Sequence, residues 1–174
     1  MTHKELVEAA YRWVLKRGGC GVAFKELNTV ACNGEYPDVI GFGSWLSVLV
    51  ECKVSQADFW ADKKKSFRIN PELGMGKYRY YCCAPGVIGI EKLPERWGLV
   101  HVIKGRARCV FNPYGQTLES NIFNNGFPIY NREAEQQLMY SALRRLAIKG
   151  HLKHIYDKDY QLNITGADII QANM

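Results

Sequence analysis

Three short apolar segments, separated by pairs of turn-forming residues, constrain the fold of this chain more than any other feature of its sequence. The segments cover residues 22–30, 37–42 and 46–53. The pairs Asn33-Gly34 and Gly43-Ser44 stand between them, and such pairs favour tight turns between strands. We therefore expect an antiparallel meander of three strands.

A helix is expected on each side of this meander. Thr2 is a suitable N-cap with Glu5 three residues later, apolar residues follow at helical spacing, and Gly18 and Gly19 end the segment. These signals predict a helix over residues 2–17. Ser55 begins a second helix, over 56–67, which carries Phe59 and Trp60 followed by a run of lysines, as a half-exposed helix should.

The rest of the chain adds strands and one long helix. The sequence predicts a strand over 78–84, a hairpin of 99–103 and 107–111, and a helix over 132–149. Residues 151–174 are weakly patterned and are expected to form a C-terminal extension. This order predicts one α/β or α+β domain over residues 1–150, with a central mixed sheet flanked by helices.

Composition excludes several classes of protein. The chain has 174 residues, which suits one domain, and no apolar run approaches the roughly 18 residues that a membrane span needs. Because an apolar secretory segment is also absent from the start, we expect a cytoplasmic protein. The six cysteines lack C-x-x-C spacing, which disfavours zinc. The net charge of +6 favours a polyanionic partner without identifying one.

Two acidic residues and one lysine stand where neighbouring strands should meet. Asp38 opens the second strand, and Glu51 and Lys53 close the third. Because side chains alternate along a strand, Glu51 and Lys53 should project from the same face, opposite an apolar face. A hairpin between these strands would bring Asp38 close to Glu51.

Such a group suits a hard divalent cation. Two ionised carboxylates in a partly dry sheet repel each other, and a cation removes that repulsion. Mg²⁺ prefers oxygen ligands, so Asp38, Glu51 and the backbone carbonyl of Cys52 would suit it, and Mn²⁺ is the alternative. Lys53 would orient the attacking water or neutralise charge on a phosphoryl group. The arrangement points to phosphodiester hydrolysis.

These residues resemble the PD-(D/E)XK phosphodiesterase superfamily. The match runs through Pro37-Asp38 and Glu51-Cys52-Lys53, followed by a helix. More narrowly, residues 51–63 and 80–85 look like the small bacterial and phage DNA-repair nucleases of the MmcB type. The similarity covers about residues 1–111. It implies an αβββαβ core like that of restriction endonucleases, a magnesium-dependent site and DNA as substrate.

The resemblance also implies roles for particular residues. Asp38 and Glu51 would be metal ligands and Lys53 the catalytic lysine. The family often adds an acid from the first helix, for which Glu8 is the best candidate here and Glu5 the second. Asp62 we interpret as part of a salt-bridging helix face.

A cluster of cations follows the proposed site. It could be an ordinary solvated face, or it could contact the phosphates of DNA in duplex, branched or single-stranded form. The candidate residues are Lys63, Lys64, Arg68, Lys77 and Arg79.

Two other functions compete with the nuclease. A nucleic-acid-binding protein could keep this fold without turnover, and it would bind DNA in a salt-sensitive way. A thiol enzyme using Cys82 and Cys83 is disfavoured, because their aromatic, apolar surroundings should bury them. A homodimer is expected only by analogy with enzymes that cut two strands.

Overall fold

Six strands form one mixed sheet in which the spatial order follows the chain. The structure is a computed structural model, and it describes residues 1–29, 32–115 and 125–156. The strands are β1 (Val22–Lys25), β2 (Val39–Phe42), β3 (Ser47–Lys53), β4 (Tyr78–Cys83), β5 (Trp97–Ile103) and β6 (Arg106–Phe111). The α-helices are α1 (His3–Arg17), α2 (Gln56–Asp62), α3 (Ser66–Ile69) and α4 (Arg132–Ile148).

The sheet changes direction of pairing twice. Strands β1, β2 and β3 are antiparallel, β3 to β5 are parallel, and β5 and β6 form an antiparallel hairpin. The expected meander, hairpin and single-domain α+β fold are therefore confirmed. A parallel pair needs a long crossover, and the segment with α2 and α3 supplies it between β3 and β4.

Helix α1 covers one face of the sheet. The Glu5 amide donates to Thr2 Oγ1 at 3.3 Å and the Thr2 amide to Glu5 Oε2 at 2.7 Å, so the predicted N-terminus is confirmed. The buried side of the helix packs on alternate residues of β3 and β4. A Cβ at Gly41 would lie 2.3 Å from Val14 Cγ1, so the lack of a side chain at this position lets α1 approach β2 closely.

The second helix is shorter than predicted. Instead of continuing over 56–67, α2 ends at Asp62, and Lys65 adopts an extended conformation before α3 begins. The break turns the chain so that the ends of both helices pack against the other face of the sheet. Strand β3 is consequently buried on both sides.

Helix α4 is confirmed, but its predicted apolar side is only partly buried. Ala134 and Leu138 pack on the second face of the sheet, whereas Met139, Leu143 and Leu146 are 37–49% exposed. Within the described ranges no helix is long and apolar enough to cross a bilayer. A short 3₁₀ helix, Leu152–Tyr156, begins the predicted extension, and residues 157–174 lie outside the described residues.

Candidate active site

The strand register places Asp38 opposite Glu51. Val39 is paired with Val50 in the antiparallel β2–β3 ladder, so the residues that flank this pair face each other just beyond it. Residues opposite each other in such a ladder point to the same face. The Cys52 amide donates to Asp38 Oδ2 at 2.7 Å and fixes this carboxylate against β3. The side chain of Cys52 packs in the apolar cluster under α1.

Lys53 lies beside Glu51, on the same face. Its ammonium is 3.0 Å from Glu51 Oε2 and 3.3 Å from Asp62 Oδ1. Burial lowers the pKa of Lys53, but the Glu51 and Asp62 carboxylates raise it more, so its net pKa lies above the usual value. Lys53 is therefore a buried cation held between two acids.

We refer to Glu35, Glu51, Lys53, Asp62 and Arg68 as the buried ionic cluster. All five side chains are at most 5% exposed. The Arg68 guanidinium joins the three acids: it contacts Glu35, its Nη2 is 3.0 Å from Glu51 Oε1, and its Nε is 2.9 Å from Asp62 Oδ2. The α2–α3 turn makes this possible because it brings Asp62 and Arg68 to one place.

The electrostatics of the site differ from one acid to the next. Burial and the charge of Glu51 raise the pKa of Asp38 to about 6. Burial also raises the pKa of Glu35, despite the nearby Arg68. For Asp62, burial is outweighed by Arg68 and Lys53, which hold the pKa below its usual value. Asp38 is thus the acid whose ionisation is disfavoured most clearly by another carboxylate.

The formal charges of the site leave room for a divalent cation. Four carboxylates, those of Asp38 and the three acids of the cluster, face the three cations Lys53, Arg68 and Lys65, which leaves a formal charge of −1. Glu51 Oε1 has no well-aligned hydrogen bond although it is close to Arg68. The donors at the Asp38–Glu51 pair are oxygens, which Mg²⁺ and Mn²⁺ prefer. Within residues 1–29, 32–115 and 125–156, no three His, Cys, Asp or Glu residues converge as a ready-made metal cage.

Glu8 is not part of this arrangement. Its carboxylate is paired with Lys25 of β1, so the expectation from the resemblance that Glu8 adds an acid to the site is not met in this structure. The residue of α1 that reaches Asp38 is His3, whose Nε2 is 3.4 Å from Asp38 Oδ1 and equally far from Glu26 Oε1. The lysine at the facing position of β1 attracts Glu8 away from the site.

Two of the five predicted DNA contacts are also wrong. Arg68 is buried in the ionic cluster, where it is paired with acids. Arg79 is fully buried, and its guanidinium donates to the backbone carbonyls of Gly76, Pro71 and Gly74. Among the others, Lys64 is exposed, and Lys63 and Lys77 are half-buried. Lys63 also donates to the carbonyl of Lys92.

The cysteines do not form a nucleophilic centre. Cys82 and Cys83 are both buried, and burial raises the pKa of Cys83 to about 11. All six cysteines are free thiols. A thiol that is covered and protonated at neutral pH is a poor nucleophile, so the structure argues against the thiol-enzyme alternative.

Comparison with known proteins identifies a fold and no activity. No protein-family model and no curated protein matches this sequence. Among solved structures, the SPO1766 protein of unknown function from Silicibacter pomeroyi is similar over 94% of this chain and 98% of its own, with a TM-score of 0.58 and 20% identity. The match shows that a second protein shares this fold over nearly its whole length.

Proposed function

We propose that this protein is a metal-dependent nuclease that hydrolyses DNA phosphodiester bonds in the cytoplasm. Asp38 and Glu51 would hold Mg²⁺ or Mn²⁺, and Lys53 would act beside them. The observation that carries the proposal is the pairing of Asp38 with Glu51 across two strands, in a site whose four carboxylates outnumber its three cations. Like charges are kept together in a poorly solvated place when a cation is there to neutralise them.

The bound cation, Lys53 and Asp38 would have different roles in such a reaction. A bound divalent cation supplies Lewis-acid polarisation of the phosphoryl oxygen. Lys53 places a positive charge and hydrogen-bond donors next to the acids, where it would neutralise developing charge on the phosphate and orient the attacking water. Asp38 is the most exposed of the three side chains, at 18%, so the scissile group would approach from its side.

DNA suits the surface next to the site. The chain carries a net charge of +6, and the exposed Lys64 lies between α2 and α3, the two helices that support the cluster. Phosphate contacts from such lysines bind nucleic acid without reading its sequence. We therefore propose backbone-directed binding by Lys64, with Lys63 and Lys77 at its edges.

The test is a cleavage assay with matched variants. Linear duplex, single-stranded and branched DNA, and the corresponding RNA, would be incubated with Mg²⁺ or Mn²⁺. We expect Asp38→Asn and Lys53→Met to lower the cleavage rate at least about 100-fold. The controls Asp58→Asn and Lys16→Met remove the same charges outside the site, and they should cleave as the unmodified protein does. Equal cleavage by Asp38→Asn, Lys53→Met and the controls would refute the assignment.

One observation favours a second candidate, a nucleic-acid-binding protein without turnover. Glu51 and Lys53 are only 3% and 5% exposed, and Arg68 already neutralises part of the charge of Glu51. Closed ion pairs of this kind are also found in purely structural positions. Salt-sensitive DNA binding by a protein that cleaves none of the substrates with either metal ion would favour this candidate.

A further inference from the structure

Lys53 has two carboxylate partners, and the proposed function engages only one of them. Glu51 lies on the same strand and would share its charge with the bound cation. Asp62 lies at the end of α2, with Oδ1 3.3 Å from the Lys53 ammonium. We infer that Asp62 is a positioning residue that keeps Lys53 in place while Glu51 binds the metal ion. The inference rests on the proposed nuclease function.

A buried ammonium needs a compensating negative charge. Both oxygens of Glu51 already contact cations, since Oε2 is 3.0 Å from Lys53 and Oε1 is 3.0 Å from Arg68. A divalent ion at Glu51 would weaken its attraction for Lys53. Among the described residues, Asp62 is the other carboxylate within ion-pairing distance of Lys53, so it is the group that can hold the amine.

Asp62 is itself held rigidly. Its side chain is 1% exposed, and its Oδ2 accepts hydrogen bonds from the Tyr81 hydroxyl and from Arg68 Nε, both at 2.9 Å. Tyr81 is fully buried on β4, where it is paired in register with Glu51. The position of Asp62 is therefore fixed from the sheet and from α3 at once.

The same contacts argue that Asp62 is not a metal ligand. Its Oδ2 is shared by Tyr81 and Arg68, and its Oδ1 is shared by Lys53 and by Lys65 at 2.8 Å. A carboxylate surrounded by three cations and a hydroxyl has little charge left for a further ion. Asp62 would therefore act on the reaction through Lys53.

The experiment separates cleavage from metal binding. For Asp62→Asn we expect a 10- to 100-fold lower kcat on linear duplex DNA, with KM and the Mn²⁺ dissociation constant within about threefold of the unmodified protein. The Mn²⁺ affinity would be measured by electron paramagnetic resonance on the full chain without DNA. Asp58→Asn, on the same helix but outside the cluster, is the matched control.

Tyr81→Phe tests the same role of Asp62 if the Asp62→Asn variant does not fold. It removes only the hydroxyl that donates to Asp62, and it should lower kcat about 3- to 10-fold at unchanged Mn²⁺ affinity. A kcat of the folded Asp62→Asn variant, or otherwise of Tyr81→Phe, equal to that of Asp58→Asn would overturn the inference. A loss of Mn²⁺ affinity matching the loss of kcat would also overturn it, since Asp62 would then act at the ion. Absence of cleavage by the unmodified protein would instead remove the proposed function itself.

Discussion

The two faces of strand β3 are equally buried, yet they have opposite chemistry. On the face under α1, Val48, Val50 and Cys52 pack in a wholly apolar cluster. On the face under α2 and α3, the strand begins with the buried Ser47, whose hydroxyl donates to Glu135, and continues with apolar packing around Leu49. It ends with Glu51 and Lys53 in the buried ionic cluster.

This difference separates the apolar packing that stabilises the fold from the charged residues of the candidate site. Burial of apolar surface contributes about 25 cal/mol per Å², whatever the exact partner. Burial of a charge costs several kcal/mol, which only well-placed partners offset. A cluster of five buried ionic groups is therefore an inefficient way to build a core, and its position beside Asp38 supports a role in chemistry.

The largest effect should come from removing the cation that joins the acids. Arg68→Met leaves Glu35, Glu51 and Asp62 without their shared partner, and we expect a loss of about 3–5 kcal/mol in the free energy of unfolding. Urea denaturation in the presence of a chelator measures it. Arg68→Lys, which keeps the positive charge, should lose less of the free energy of unfolding. A loss below about 1 kcal/mol for Arg68→Met would contradict the view that the charges on this face of β3 depend on well-placed partners.

On the apolar face, stability should change without any change in chemistry. Leu6 is 1% exposed in the cluster under α1, so Leu6→Ala should cost about 3 kcal/mol. Cleavage per folded molecule and Mn²⁺ affinity should stay as they are. A lower cleavage rate or a lower Mn²⁺ affinity of the fully folded variant would show that the two faces of β3 are coupled.

Asp38→Asn should stabilise the metal-free protein although it lowers the cleavage rate at least about 100-fold. The pKa of Asp38 is raised from 3.8 to about 6, so ionisation of this carboxyl group disfavours the folded state. The contribution of Asp38 to the free energy of unfolding is therefore fully present below pH 4 and is lost as the pH rises through 6. The variant should gain about 3 kcal/mol at pH 8 and almost nothing at pH 4. Urea denaturation with a chelator at both pH values tests this, and a loss of stability at pH 8 would contradict it.

The smallest effect should come from a lysine outside both clusters. Lys64→Ala removes one proposed phosphate contact, so the slope of log affinity against log salt should fall by about one. Lys16, exposed near the end of α1, provides the comparison from the opposite side of the sheet. An equal effect of Lys16→Ala and Lys64→Ala in a salt titration would show that DNA does not prefer the α2–α3 side.

The sequence predicts most of the fold because its signals are local. A capping box defines the start of α1, and turn pairs together with alternation define the meander, from which the proximity of Asp38 to Glu51 follows directly. The burial of the apolar side of α4 is predicted less well. The helical spacing of its apolar residues is visible in the sequence, but the residues that pack against them are not.

The ionic cluster could not be predicted in the same way. The run from Asp62 to Lys65 has the composition of an exposed helix face, and only the break between α2 and α3 turns Asp62 and Arg68 inward. One signal was present for Asp62, which follows the buried Phe59 by three residues and so shares its helix face. Glu35 and His3 join the site from distant segments, and no local pattern marks such contacts.

The most direct test of the account is a crystal of the protein soaked in Mn²⁺ and measured for anomalous scattering. The account predicts an anomalous peak between the carboxylates of Asp38 and Glu51, and no peak there in crystals of Asp38→Asn. Saturating Mn²⁺ that leaves these carboxylates without a peak, with Glu51 still paired to Lys53 and Arg68, would contradict it.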